Sequence, residues 1–170
     1  MGSSPHVTEL PSNVMRLTFL GTGAAGGTPG AGRSRRRESS LLVESGAARL
    51  LVDATSQLDE QIEAIATLDA VVLTHAHRDA AGGVPVLDRW CAEHDRGPVR
   101  LLGSPQAIAL IGARAGLVSL RLSSVEPGRS RRVAGLAVRA TEVPHAQLAT
   151  AVGELCRKAA PAFDGMTVEL

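Results

Sequence analysis

The segment that most constrains this chain of 170 residues is THAHRDAAGG at residues 74–83. A wholly apolar run at residues 70–73 leads into it, and two glycines end it. His75, His77 and Asp79 therefore follow a predicted strand at positions i, i+2 and i+4. In an extended or turning segment this alternation puts all three side chains on one side, where they suit zinc or a similar metal. The alternative is a polar loop whose histidines are merely exposed to solvent.

The remaining sequence predicts a mixed α and β chain. Apolar runs bounded by turn residues predict strands at residues 14–20, 39–44, 49–53, 70–73, 99–102, 120–125, 136–143 and 166–170. Helical spacing and capping residues predict helices at residues 58–66, 84–94, 105–116 and 147–158. Strands are adjacent early in the chain and alternate with helices later. This order indicates packing of sheet on sheet or of helix on sheet.

Length and composition predict one globular domain. The hydrophobic fraction is 44% and the charged fraction 21%, which is typical of a folded protein with a packed core. We assign residues 1–13 to a flexible N-terminal tail and residues 14–170 to the domain. No apolar run has the length of a signal peptide or a membrane span, and two cysteines are too few for a disulfide framework. We therefore expect a cytoplasmic protein that does not bind membranes.

Several motifs together resemble one family. The segment THAHRDAAGG is similar to the HxHxDH signature of the metallo-β-lactamase superfamily. The segments LTFLGTGAAGGTP, SSLLVESGAARLLVDAT and AFDGMTVEL resemble strands of the branch containing tRNA-processing zinc endonucleases, the phosphonate-pathway cyclic phosphodiesterase and pyrroloquinoline quinone biosynthesis protein B. The resemblance implies an α+β, αββα sandwich of two mixed sheets flanked by helices. It also implies a hydrolytic metal site at the edge of the sheets.

The resemblance also implies a ligand set. His75, His77 and a later histidine, matched to His145, would hold one metal, with Asp79 beside it as a further ligand and a catalytic group. Ala80 stands where the family has a histidine of the second metal site, and alanine cannot bind a metal. The chain also lacks room after residue 143 for the family's remaining strands and ligands. We therefore expect an incomplete second sheet and one zinc ion rather than two, with manganese or iron as alternatives.

Two further features are assigned to the surroundings of this site. Asp53 corresponds to an aspartate at a strand end in the same branch, and we expect it to orient a ligand histidine. Its alternative role is that of a turn residue. The basic cluster on the glycine-rich loop would lie near the metal edge and could hold phosphate through guanidinium groups, although such clusters are commonly solvated. Its members are Arg33, Arg35, Arg36 and Arg37.

A dinucleotide site is a competing interpretation of the glycine-rich loop. Residues 21–26 match the pattern GxGxxG directly after a predicted strand. That fingerprint requires a following helix whose N-terminus meets the pyrophosphate, and the glycines and proline at residues 27–32 oppose a helix there. We therefore disfavour nucleotide binding of this kind.

The function predicted from these features is hydrolysis of a phosphodiester or another ester at a bound metal. The substrate would be a small or phosphate-containing molecule. Nucleic acid is a weaker candidate, because the net charge is +1 and the chain has no tyrosine for stacking. The alternative is a degenerate member of the fold that binds a partner without turnover. We also expect a homodimer, because an incomplete sheet leaves strand edges that need cover.

Overall fold

The computed structural model describes residues 10–11, 13–94, 97–114, 116–141 and 167–169. Its strands are β1 Met15–Gly21, β2 Ser40–Ser45, β3 Ala48–Val52, β4 Ala70–Val72, β5 Val99–Gly103, β6 Leu120–Ser124, β7 Ser130–Val133, β8 Leu136–Arg139 and β9 Thr167–Glu169. Its α-helices are α1 Leu58–Gln61, α2 Arg78–Ala81, α3 Val84–Glu93 and α4 Pro105–Gly112. Two short 3-10 turns lie at Gly32–Ser34 and Ile62–Ala64. None of the described helices is both long and apolar enough to cross a membrane.

Seven strands form the main sheet, in the order β6-β5-β4-β3-β2-β1-β9. The hairpin of β2 and β3 is antiparallel, whereas β3, β4, β5 and β6 run parallel to one another. Parallel neighbours need crossover connections, and α1, α3 and α4 lie in them along the chain. The carboxyl ends of β3 and β4 therefore meet at one edge of the sheet. The turn that carries the histidines begins at this edge.

The core has two parts, one on each face of the main sheet. On one face Leu51, Val71 and Leu101 of the strands are buried in a cluster that also contains helix residues such as Leu58 and Leu87. On the opposite face a smaller cluster includes sheet residues and residues of the second sheet; its members are Leu50, Ala70, Leu102, Val125 and Val133. The second sheet is the two-stranded ribbon of β7 and β8. The predicted α+β sandwich is thus confirmed, with a short second sheet in the described part.

Most predicted elements are present, and the differences have local causes. The predicted helix at residues 58–66 divides into α1 and a 3-10 turn, and the helix at residues 105–116 ends at Gly112. Ser104 caps the latter helix as predicted, since its Oγ accepts the N–H of Ala107 at 3.1 Å. Strand β7 was not predicted, because only Val133 of its four residues is buried. The predicted helix at residues 147–158 and most of the proposed tail lie outside the described residues.

A buried carboxylate fixes the start of β6 and provides a stability test. Asp88 on α3 is 6% exposed, and its oxygens accept the N–H groups of Val118 at 3.1 Å and Ser119 at 2.8 Å. We expect Asp88→Ala to lower the free energy of unfolding by about 1–3 kcal/mol, because two backbone N–H groups lose hydrogen bonds to a charged acceptor. Urea denaturation measures the loss. Asp88→Asn keeps one acceptor oxygen and should lose less; an unchanged midpoint in the alanine variant would contradict this role.

Candidate metal centre

The predicted ligands lie together in the turn after β4. One potential ligand atom from each of His75, His77 and Asp79 lies within 4.8 Å of the others. His77 is the N-cap of the short helix α2 and has an extended backbone conformation. His75 and Asp79 are half-buried, whereas His77 is exposed. The structure thus brings together the three neighbouring members of the predicted ligand set, while His145 lies outside the described residues.

The spacing of the ligand atoms fits a single ion. His75 Nε2 lies 3.3 Å from Asp79 Oδ1, and the rings of His75 and His77 meet at 84° with their centroids 5.0 Å apart. Two ligand atoms that are each ~2 Å from a tetrahedral metal are ~3.4 Å apart. Nitrogen and oxygen donors of this kind suit zinc and related divalent ions. The described residues therefore offer three donors that could hold a metal ion, at a place open to solvent on the side of His77.

Asp53 reaches this site through Thr74. Its Oδ1 accepts the N–H of Thr74 at 2.7 Å, and its Oδ2 accepts the hydroxyl of Thr74 at 2.8 Å. The same hydroxyl oxygen lies 2.9 Å from His75 Nδ1. Sequence reasoning missed Thr74. Its signal was a hydroxyl residue at the junction between a buried strand and the first histidine.

The hydrogen bonds that link Asp53, Thr74 and His75 assign the tautomer of His75. The hydroxyl of Thr74 has one proton, which it donates to the carboxylate of Asp53. Its oxygen then accepts a hydrogen bond from Nδ1–H of His75. A neutral imidazole with its proton on Nδ1 carries its lone pair on Nε2, the atom beside Asp79. This nitrogen could therefore act as a metal ligand.

Asp53 also has the geometry of a turn residue at the end of a strand, which is the alternative role predicted for it. Its φ of 64° is in the left-handed region, which aspartate and asparagine enter more readily than most residues. Its backbone N–H donates to Val72 O at 2.9 Å, and its carbonyl accepts the hydroxyl of Ser40 at 2.8 Å. The two roles are therefore compatible, since the unusual backbone aims the carboxylate at Thr74.

The two glycines after the motif are required by close packing. A Cβ at Gly83 would lie 2.2 Å from Thr55 O, and one at Gly82 would lie 2.4 Å from Arg78 O and 2.9 Å from Cβ of Ser56. The turn therefore lies directly against the loop at residues 54–57. Ala80 is 1% exposed, so its methyl group is part of the buried interior rather than the open side of the site.

Glu38 joins the glycine-rich loop to the same region, and sequence reasoning also missed it. The residue is 2% exposed, and Oε1 accepts the N–H of Gly26 at 2.9 Å. Oε2 accepts both the N–H and the hydroxyl of Ser56, at 2.9 and 2.8 Å. A single acidic residue directly after a run of arginines was its only signal. This carboxylate fixes the loop beside the turn that carries the histidines.

The arginines of the loop have protein partners. Arg35 and Arg37 both contact Glu60 of α1, the latter at 3.2 Å, and Arg36 donates to Thr22 Oγ1 at 2.9 Å. The side chain of Arg33 lies outside the described residues. These contacts place three members of the basic cluster along α1 and the base of the loop. Their predicted use in holding phosphate stays a prediction.

Comparisons with known proteins agree on the family and the fold. The family model described as "Beta-lactamase superfamily domain" matches residues 46–159. The solved structure of a diphosphatase from the PhnP family is 22% identical, with a TM-score of 0.61. The match covers 69% of this chain and 53% of the diphosphatase chain. The metallo-beta-lactamase fold protein YhfI from Bacillus subtilis is 21% identical with a TM-score of 0.59, covering 71% and 49%. The resemblance found in the sequence is thus confirmed.

A further relative is a much longer protein. An octanoyltransferase of Porphyromonas gingivalis (strain ATCC BAA-308 / W83) is 28% identical over 158 residues, which cover 79% of this chain but 32% of that protein. The chain spans about a third of this relative and about half of each of the two solved structures. The activities of these whole proteins are therefore not transferred with the fold.

The buried position of Asp53 predicts a pH effect on stability. Burial raises the pKa of Asp53 above its ordinary value of 3.8, against the lowering effect of the hydrogen bonds from Thr74. The folded state then binds this proton more tightly than the unfolded chain. The contribution of Asp53 to the free energy of unfolding is therefore present below pH 3.8 and is lost as the pH rises through the raised pKa.

Asp53→Asn isolates this contribution, because asparagine does not titrate and tolerates the left-handed backbone. Urea unfolding of both proteins, in EDTA and over a series of pH values, gives the difference in free energy between wild type and variant. We expect that difference to fall as the pH rises from acid to neutral. A difference that grows with pH would mean that the folded state lowers the pKa of Asp53.

Proposed function

Since the chain belongs to the β-lactamase superfamily, whose domain matches residues 46–159, we propose that it is a metal-dependent hydrolase of a phosphodiester or another ester. The observation that carries this proposal is the convergence of His75, His77 and Asp79 within 4.8 Å at the carboxyl end of β4. Catalytic metal sites of this kind use three protein ligands and keep one position open for water or substrate.

We assign His75 and His77 as ligands of a single zinc ion, with His145 as the proposed third ligand. Manganese and iron are the alternative ions. Asp79 lies close enough to His75 Nε2, at 3.3 Å, to share the same ion. When bound, the ion would supply Lewis acidity to the substrate's phosphoryl or carbonyl oxygen and to an attacking water. We place this activity in the cytoplasm, in a protein that binds a small or phosphate-containing substrate.

The chain's own residues have distinct tasks in this proposal. Asp53 and Thr74 hold the proton of His75 on Nδ1, so that Nε2 keeps its lone pair towards the ligand site. Asp79 Oδ2 is the atom that takes the proton from the attacking water, since Oδ1 lies beside His75 Nε2 at the ligand site. Its half-buried position keeps the carboxylate near the reacting atoms while leaving access for solvent. Arg36 and the other arginines of the basic cluster would attract the anionic part of the substrate.

A phosphate-containing substrate is favoured over a carboxylic ester by one comparison. The structurally similar protein of the PhnP family is described as a diphosphatase. The octanoyltransferase relative does not favour acyl transfer, because the chain covers 32% of it and 28% of the aligned residues are identical. Within the proposed substrate class, the chemistry at the site is attack by water on phosphorus in an ester.

One observation favours the alternative, a binding module without turnover. Ala80 occupies the position of the family's second-site histidine and is buried, so it offers no ligand to a second ion. A protein that holds one metal weakly could retain the fold as a docking unit. Metal content and hydrolysis of bis(p-nitrophenyl) phosphate distinguish the two. The hydrolase retains about one ion per chain and hydrolyses the ester. The module retains less metal and does not hydrolyse the ester.

The ligand assignment predicts the effect of two substitutions. His75→Ala and His77→Ala should each reduce zinc to well below one ion per chain, because each removes one of only three or four metal bonds. Plasma mass spectrometry of protein purified without a histidine tag measures this content. His94→Ala is the matched control, because His94 is exposed and stacks on Trp90 at the end of α3. Full zinc in either ligand variant would place the metal elsewhere.

The role of Thr74 as a link between Asp53 and His75 gives a separate prediction. Thr74→Val keeps the shape of the side chain but removes the hydroxyl, so Nδ1 of His75 loses its partner. We expect zinc affinity to fall about 10- to 100-fold, the usual effect of losing a group that orients a ligand. Thr74→Ser restores the hydroxyl and should restore the affinity, which competition with a chromogenic chelator measures. Equal loss in both variants would indicate a packing effect instead.

A further inference from the structure

Charge is strongly segregated along this chain, although its net charge is only +1. Residues 53–94 contain eight acidic residues and two arginines, whereas residues 97–141 contain seven arginines, one glutamate, no aspartate and no lysine. All seven of these arginines are exposed. Among the described residues, none of them forms a salt bridge. They are Arg100, Arg114, Arg121, Arg129, Arg131, Arg132 and Arg139.

Two of these arginines lie on the face of the main sheet that the helices do not cover. Leu101 and Leu120 are buried in the core on the helix side, and Leu102 is buried in the core beneath the ribbon of β7 and β8. Side chains alternate between the faces of a sheet. Arg100 and Arg121 therefore project on the ribbon side.

Four more arginines belong to the ribbon itself and to the turn that leads into it. Arg132 and Arg139 alternate with the buried Val133 and half-buried Val138 and so lie on the outer face of the ribbon. Arg131 pairs in register with Val138, and Arg129 precedes β7. Arg131 therefore shares the inner face of the ribbon with Val133 and Val138. We call the set of exposed arginines on the ribbon side of the main sheet, Arg100, Arg121, Arg129, Arg132 and Arg139, the basic face.

The basic face concentrates like charges at a cost to the isolated protein. Arg100 and Arg121 are direct register partners on β5 and β6. Like charges opposite each other on neighbouring strands are destabilising. The guanidinium of Arg132 donates to Gly135 O at 3.2 Å, a contact that leaves its charge unneutralised. An anionic partner with several charges would relieve this repulsion.

The basic face extends away from the proposed metal centre. Arg100 is in register with Ala70, the first residue of β4. His75 lies beyond the other end of that strand, which ends at Val72. Arg100 and Arg121 are therefore at the opposite edge of the sheet from the metal ligands. A substrate at the metal centre would therefore lie apart from the basic face, and arginines spread over two strands and the ribbon suit an extended polyanion.

We propose that the basic face binds the sugar–phosphate backbone of a nucleic-acid duplex without regard to its sequence. Arginine matches phosphate geometry with two parallel hydrogen bonds, and the face contains arginine only. Binding of single strands requires exposed aromatic platforms. Among the described aromatic residues, Trp90 stacks on His94 and Phe19 lies half-buried in the wall of a shallow cavity. A duplex, which is held through its backbone, is therefore the partner that fits.

The test uses the full chain with EDTA present, so that it is independent of the proposed hydrolysis. Binding of a fluorescent RNA duplex and a DNA duplex of mixed sequence is followed by anisotropy from about 50 to 200 mM KCl. If the face neutralises about five phosphates, log Kd should rise against log salt with a slope of about 4 to 5, a loss of several hundred-fold. Both duplexes should bind, because the shared chemistry is the backbone.

Two paired variants identify the face. Arg100→Gln with Arg121→Gln, and Arg132→Gln with Arg139→Gln, should each lower the salt slope by about 2. Arg89→Gln with Arg114→Gln removes the same charge from exposed positions outside the basic face and should leave the slope nearly unchanged. Thermal melts followed by circular dichroism check that each variant is folded.

Three results would overturn the proposal. The paired variants of the face could bind as tightly as the control variant, the duplexes could bind without salt dependence, or vesicles containing phosphatidylserine could bind more tightly than either duplex. The last result would assign the face to a membrane surface instead. Loss of ester hydrolysis in other experiments leaves this test unaffected, since no metal is present in it.

Discussion

The two hydrogen bonds from Thr74 to the carboxylate of Asp53 join the ends of two parallel strands, and the geometry of the candidate site depends on them. Burial opposes the charged form of Asp53, so this carboxylate is stable only where donors meet it. Thr74, the second residue after β4, supplies both donors. The backbone of the turn is therefore fixed before any ligand side chain is considered.

This constraint also relates the fold to its chemistry. A parallel pair of strands brings two carboxyl ends to one edge, and residues at such ends can cooperate although they are distant in sequence. Asp53 and Thr74 are separated by a helix and a 3-10 turn, yet their side chains are in direct contact. The close approach of Gly83 to Thr55 adds a second contact between the same two segments. The site is thus built where the ends of two paired strands are in direct contact.

The sequence predicted the strands with apolar alternation well, and it predicted His75, His77 and Asp79 because their spacing is local. It did not predict β7, whose exposed serine and arginines lack the apolar pattern of a strand and whose position depends on pairing with β8. Thr74 and Glu38 were missed for a related reason. Their roles depend on contacts with Asp53, Gly26 and Ser56, which only the folded chain brings near. The spacing of residues along the sequence does not indicate such contacts.

The pairing of β9 with β1 has a consequence for folding kinetics. Residues Arg16 and Glu169 are register partners at opposite ends of the sequence, so this pair closes a loop that contains nearly the whole chain. The entropy of closing a loop grows only slowly with length, but contacts at large separation form slowly because the intervening segments must first become ordered. The hairpin of β2 and β3 can form from neighbouring residues. We therefore expect β9 to join the sheet last, after β1 has paired with β2.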